Sequence, residues 1–146
     1  MEPTRPAGSP FQRDTEYSAE MLEAFANAEL VFFDPDNGLE VKSSPYGSAG
    51  SSKYLYWREA SEAFKRGHSL LIYQHFPRQK RSAFLRRTGQ EISDKLHASE
   101  VCAAVTSNVG FFLALQPAHA GRGRKALASV SQRWVGQIHF LPDLAA

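Results

Sequence analysis

Cysteine is nearly missing from this chain. Cys102 is the single one among 146 residues, which excludes an intramolecular disulfide, a zinc knuckle and a CxxC redox pair. Such usage fits a reducing, cytoplasmic setting. Long apolar runs are also lacking, and nothing approaches the roughly 20 residues that a membrane-spanning helix needs. Charge of one sign is not in excess, since 17 Lys and Arg face 15 Asp and Glu for a formal +2. So small a balance does not name nucleic acid as a partner, because only a local concentration of cations attracts phosphate usefully. The N-terminus lacks the apolar centre of a secretory signal. What remains is ordinary globular composition, 42% hydrophobic and 22% charged, over a length that suits one domain.

The Pro-, Gly- and Ser-rich start predicts a disordered leader over 1–13, followed by a single α/β domain over 14–146. Tyr17, Met21, Leu22, Phe25 and Ala28 recur at helical spacing after Asp14 and Thr15 and predict a helix of about three turns. Glu29 to Asp34 contains Leu30, Val31, Phe32 and Phe33 without polar alternation, which predicts a strand covered on both faces. The polar, glycine-rich stretch Ser43 to Ser52 predicts a mobile loop. A helix is expected from Lys53 to Arg66, closed by Gly67, and a second buried strand over Ser69 to Tyr73. Phe84, Thr88, Ile92 and Leu96 mark the next helix, in which Gly89 costs about 1 kcal/mol relative to alanine. Val101 to Thr106 and Phe111 to Leu115 read as a hairpin across Ser107 to Gly110. Leu127, Val130 and Trp134 mark a later helix ended by Gly136, and Gln137 to Leu141 a last strand. Together these predict a mixed, mostly parallel sheet with flanking helices and right-handed crossovers, half of a Rossmann-like layer.

In open α/β sheets ligands collect beyond the carboxyl ends of strands. Two strands here end in unusual polar sequence. The first runs into Asp34-Pro35-Asp36-Asn37-Gly38, with side-chain oxygens on Asp34, Asp36 and Asn37, a turn fixed by Pro35, and a glycine free to take positive φ. The second runs into Gln74-His75-Phe76-Pro77-Arg78, where His75 can exchange a proton near neutrality. Arg78, Lys80, Arg81, Arg86 and Arg87 form a basic run with no carboxylate between them, which would attract phosphate in a salt-dependent way. A plain Asx turn, a structural histidine and a solvated helix face are the competing readings of these features. Tyr54, Tyr56 and Trp57 offer a base-stacking surface, although aromatics at helical spacing are more often core.

A calcium loop fails at Asp34 because its glycine comes one place early and Pro45 stands where the closing carboxylate belongs. A phosphate loop and a nucleophile elbow are absent from the sequence. Apolar residues followed by Asp34-Pro35-Asp36 are similar to the first motif of haloacid-dehalogenase-like phosphatases, but the later strands lack the acidic cluster that such chemistry needs.

Asp34-Pro35 after a buried strand more closely resembles the fourth motif of Rossmann-like, S-adenosylmethionine-dependent methyltransferases acting on amino groups. That resemblance implies that Asp34 and the Pro35 carbonyl accept hydrogen bonds from a target amine, with Tyr46, Tyr54 or Phe76 replacing the motif's usual stacking aromatic. The segments Leu30 to Glu40, Ser51 to Tyr54 and Ile72 to Arg78 together resemble a bacterial family of unassigned activity, distantly akin to three-Cys-motif partner proteins and ribosomal RNA adenine methyltransferases. The resemblance covers about residues 11 to 141. It implies a nucleic-acid amino-methyltransferase-like domain in which Asp34, Pro35, Asp36, Asn37 and His75 form the catalytic pocket. Gly38, Lys53, Gln74, Arg78 and Arg81 would contact substrate. It further implies S-adenosylmethionine as cofactor, held by an additional N-terminal half that precedes the first strand in other members. A half-sheet would leave an apolar edge beside Leu30 to Asp34, so either another copy of the chain covers it, or the topology differs, or the domain is a remnant of the longer fold. The alternatives are a non-catalytic domain binding nucleic acid or another phosphate-bearing ligand, and then metal-dependent phosphate hydrolysis by Asp34 and Asp36.

Overall fold

The computed structural model describes residues 20–145, so the predicted leader and the start of the first predicted helix lie outside the described residues; 20–24 are helical. Five strands follow: β1 (Leu30–Phe33), β2 (Ser69–His75), β3 (Glu100–Val105), β4 (Val109–Leu115) and β5 (His139–Leu141). Three helices connect them: α1 (Trp57–Lys65), α2 (Arg81–Leu96) and α3 (Ala120–Arg133). None of the described helices is long and apolar enough to cross a membrane.

The strands form one sheet in the order β1-β2-β4-β3-β5. The expectation of a mostly parallel sheet is corrected here. Only β1 and β2 run parallel, whereas β2–β4, β3–β4 and β3–β5 are antiparallel. The cause is the tight turn after β3, which folds β4 straight back so that it inserts between β3 and β2. Thr106 fixes this turn. Its N–H donates to the Val109 carbonyl at 2.9 Å, and its hydroxyl oxygen accepts from the Val109 N–H at 3.2 Å.

Alternation along each strand sends side chains to two unlike faces. On one face Val31, Leu70, Ile72, Val101 and Phe112 are buried against Ala60 and Ala63 of α1 and Ile92 and Leu96 of α2. Full burial of each large aliphatic side chain contributes roughly 1.5–3 kcal/mol. Leu144 belongs to this core as well. Its N–H donates to Val101, and it packs over α2 where a Cβ on Gly89 would lie 2.4 Å from the Leu144 Cβ. The glycine that weakens the helix in isolation is therefore the seat of the C-terminal segment.

On the other face α3 is the one helix among the described residues. Leu113, Leu115 and Cys102 lie beneath it, and Gly123 lets the helix close in, because a Cβ there would meet Leu115 at 2.4 Å. Burial in this apolar layer pushes the Cys102 thiol up to about 11. Since α3 lies over β3, β4 and β5, no described helix covers the β1 side of this face. Leu30 and Phe32 are 50% and 52% exposed, while Val31 and Phe33, which alternate with them, are buried. The prediction that this strand is covered on both faces is thus wrong for one face.

The segment expected to be a mobile loop is a run of turns anchored to α1. Ser48 donates to Pro45 and Ser51 to Ser48 through their backbone N–H groups, and the Tyr56 hydroxyl donates to the Ser44 carbonyl at 2.7 Å. Helix α1 begins at Trp57 rather than Lys53, because Leu55 is held in an isolated bridge with Leu39. The first free N–H of the helix, on Trp57, donates to Glu40 Oε1 at 2.6 Å. Glu40 therefore caps α1 from the far side of the Asp34–Gly38 loop.

Candidate functional site

The Asp34–Gly38 segment leaves β1 and turns at once. Gly38 has φ +86°, and its N–H donates to the Pro35 carbonyl at 3.2 Å. The turn is pinned from one side by α1's approach: Asn37 N–H donates to the Lys53 carbonyl at 2.8 Å, and Leu55 N–H to the Gly38 carbonyl at 2.9 Å. From the other side it is pinned by Gln74, whose Oε1 accepts from the Leu39 N–H at 2.8 Å. The Gln74 amide nitrogen donates to the His75 carbonyl. One arm of this side chain thus holds the loop while the other ties it to its own strand.

Beside this loop lies a cleft of about 360 Å³ lined by Phe32, Asp34, Pro35, Asp36, Tyr73, His75 and Phe111. Its floor is the open face of the sheet. Tyr73 and His75 share that face by period-two spacing, and Tyr73 sits directly opposite Phe111 in the β2–β4 pairing. The Tyr73 and Phe111 ring centroids are 5.5 Å apart, and those of Phe32 and Phe111 are 6.4 Å apart. Tyr73 meets His75 edge-on at 4.8 Å, with its hydroxyl 3.0 Å from His75 Nε2. Asp34 and Asp36 are exposed, so their carboxylates stand at the rim of an aromatic floor.

Of the residues singled out from sequence, Asp34, Pro35, Asp36 and His75 come together in this cleft. The others do not line it. Asn37 and Lys53 meet each other through their backbones, with exposed side chains, and Gly38 and Gln74 form the brace behind the loop. Arg78 is exposed in the turn after β2. Arg81 donates to the Ser107 carbonyl and lies over the Phe76 ring at 4.5 Å, while Arg87 donates to Gln79. Part of the basic run is therefore engaged in internal contacts rather than presented as one patch. The aromatics expected to stack on a ligand are also elsewhere. Tyr46 and Tyr54 both approach Tyr56, and Phe76 faces Phe84. Sequence reading missed Phe32, Tyr73 and Phe111 because an all-apolar strand hides its alternation. The Tyr73-Gln74-His75 order is the one signal that could have revealed it.

An aromatic floor edged by carboxylates can hold a flat ring and accept hydrogen bonds from an amino group on it. Among the described residues no group of three His, Cys, Asp or Glu side chains could hold a metal ion. S-adenosylmethionine, by the resemblance, would rest against a strand and glycine turn preceding β1. Among the described residues no strand precedes β1, and so none of them supplies that seat. Comparison with protein-family models, curated proteins and solved structures gives no match.

Proposed function

We propose that the cleft binds an amino-bearing nucleobase, and that the domain corresponds to the substrate half of a Rossmann-like amino-group methyltransferase. In this reading Asp34 and the Pro35 carbonyl orient the exocyclic amine, Phe32, Tyr73 and Phe111 provide the apolar surface for the ring, and His75 closes the far side. The observation that carries it is the convergence of Asp34, Pro35 and Asp36 with three aromatic rings at the carboxyl ends of the parallel pair β1 and β2. The succession strand, helix, strand, helix, hairpin from Leu30 to Leu115 also supports it.

A second reading keeps the base-binding cleft without catalysis. The observation favouring it is that β1 lies at the edge of the sheet, where the cofactor-bearing strand of a methyltransferase would pair. Both readings share one test. Titration of adenosine and purine riboside, followed by amide chemical shifts, compares rings that differ only in the exocyclic amine. Adenosine should bind at least about tenfold more tightly, the equivalent of one charge-assisted hydrogen bond. Equal affinity would remove the amine from the account. Tritiated methyl transfer from S-adenosylmethionine to the bound base separates the first reading from the second.

A further inference from the structure

The two edges of the sheet are unlike. At one end β5 is three residues long and is stopped by Pro142, which has no N–H to offer a further strand. At the other end β1 presents Leu30-Val31-Phe32-Phe33, with no proline or lysine to discourage pairing.

The register decides which backbone groups of β1 are free. Ser69 N–H donates to the Glu29 carbonyl at 2.8 Å, and the pairing runs in step from Leu30 with Ser69 to Phe33 with Ile72. In a parallel ladder the N–H and C=O of one residue point the same way, and successive residues point to opposite sides. Val31 and Phe33 therefore bond to β2, whereas the N–H and C=O groups of Leu30 and Phe32 point away from it. Among the described residues none forms a hydrogen bond with these outward groups. An edge of this kind is a template for another strand.

Two-fold symmetry matches these groups to themselves. When a second copy lays its β1 antiparallel about an axis through Val31, Leu30 stands opposite Phe32 of the second copy, and Phe32 opposite its Leu30. Both members of each pair point outward, so each pair exchanges two N–H···O=C bonds. On the open face the half-exposed leucine meets the half-exposed phenylalanine across the ladder, once on either side of the axis. Like charges are not opposed. Glu29 falls opposite Phe33 of the second copy, and its carboxylate is held by Arg122 of its own copy at 3.0 Å.

We propose that β1 is the interface of a homodimer, in which two edge strands pair antiparallel about Val31 into one continuous sheet, five strands from each copy. The pairing sets Leu30 of the second copy beside Phe32, at the margin of the Asp34 cleft. It stands on the unpaired edge and does not depend on what the cleft binds. A ladder this short buries little against the roughly 1,000 Å² or more of stable dimers, so dissociation on the order of micromolar is expected.

Hydrogen exchange of the unaltered chain, followed by NMR from low micromolar to several hundred micromolar protein, reads the pairing residue by residue. The Leu30 and Phe32 amides should slow at least about tenfold as sedimentation velocity shows the dimer forming, while Val31 and Phe33, bonded to β2 in both states, keep their rates. Leu30→Pro removes an outward N–H and no bond to β2, and Leu30→Lys keeps the backbone while adding the charge that edges commonly carry. Each should weaken dimerisation at least about tenfold with the circular dichroism spectrum unchanged, and Leu30→Lys serves if the proline variant fails to fold. A monomer at every concentration would overturn the proposal. So would a dimer in which the Leu30 and Phe32 amides stay fast, or one unaffected by the substitutions, since its contact would lie elsewhere. Slow exchange of these two amides in a monomer would also overturn it, by making another segment of the same chain the occupant of the edge.

Discussion

A Cβ placed on Gly38 would lie 2.4 Å from the Gln74 side-chain oxygen that receives the Leu39 N–H. These two residues define the position of the Asp34 loop. The glycine permits both the left-handed backbone and the close approach, and the glutamine satisfies a backbone donor that would otherwise be buried without a partner. A substitution at either residue should therefore act on the site through the loop.

Gly38→Ala should lower stability by about 1–3 kcal/mol, from positive φ and overlap together. Gln74→Leu should cost about 1–3 kcal/mol by leaving the Leu39 N–H unpaired. Urea unfolding measures both. A neutral result for Gly38→Ala would mean that the turn relaxes freely and that Gln74 does not fix it.

Gly89 tests the opposite intuition. In an exposed helix Gly→Ala stabilises by up to about 1 kcal/mol. Here Leu144 occupies the space, so Gly89→Ala should destabilise the protein or release the C-terminal segment. The double change Gly89→Ala with Leu144→Gly, which removes the Cβ that lies 2.4 Å away, should recover part of the loss. Thermal unfolding of the single and double variants decides between these outcomes.

These two glycines also mark how much the sequence disclosed. Local signals were strong wherever short-range physics decides. Gly67 ends α1, a hairpin joins β3 and β4, and Asp34-Pro35-Asp36 emerges at a strand end, all as spacing and turn chemistry predicted, although β4 begins at Val109, two residues before the expected Phe111. Tertiary relations were not legible. The capping of α1 by Glu40 spans 17 residues, and the contact between Gly89 and Leu144 depends on where the chain end returns. Strand direction also escaped, because β3 and β4 show apolar runs that fit either pairing. The aromatic floor was hidden for a related reason. Phe32 in Leu-Val-Phe-Phe looks buried until one face of the sheet proves to be open.

Cys102 should be chemically silent in the folded protein. Its thiol is raised to about 11 and fully buried, so iodoacetamide at pH 8 should modify it only after unfolding. The sign of the linked stability follows. An unfolded thiol ionises near pH 8.5 while the folded one stays protonated, so stability contributed by this group is complete below about pH 8.5 and falls as pH rises toward 11. A Cys102→Ala variant should lose that part of the alkaline decline, as read by urea midpoints between pH 8 and 11. An unchanged decline would assign it to other groups.

The rings beneath the cleft should matter for ligand rather than fold. Phe32 is half-exposed, so Phe32→Ala should change stability by about 1 kcal/mol or less while weakening nucleoside binding by roughly 1 kcal/mol of lost stacking. Parallel unfolding and binding titrations separate the two effects. Large destabilisation with unchanged binding would make Phe32 a structural residue only.

The most direct measurement is the affinity of adenosine and purine riboside for the unaltered chain and for Asp34→Ala, taken as a four-cornered cycle. Asp34 is exposed, so its removal should leave the fold intact, and circular dichroism checks this. The preference for adenosine, about tenfold or more, should disappear in Asp34→Ala while purine riboside binding hardly changes. A preference that survives the loss of Asp34 would contradict the assignment of the amine to this carboxylate.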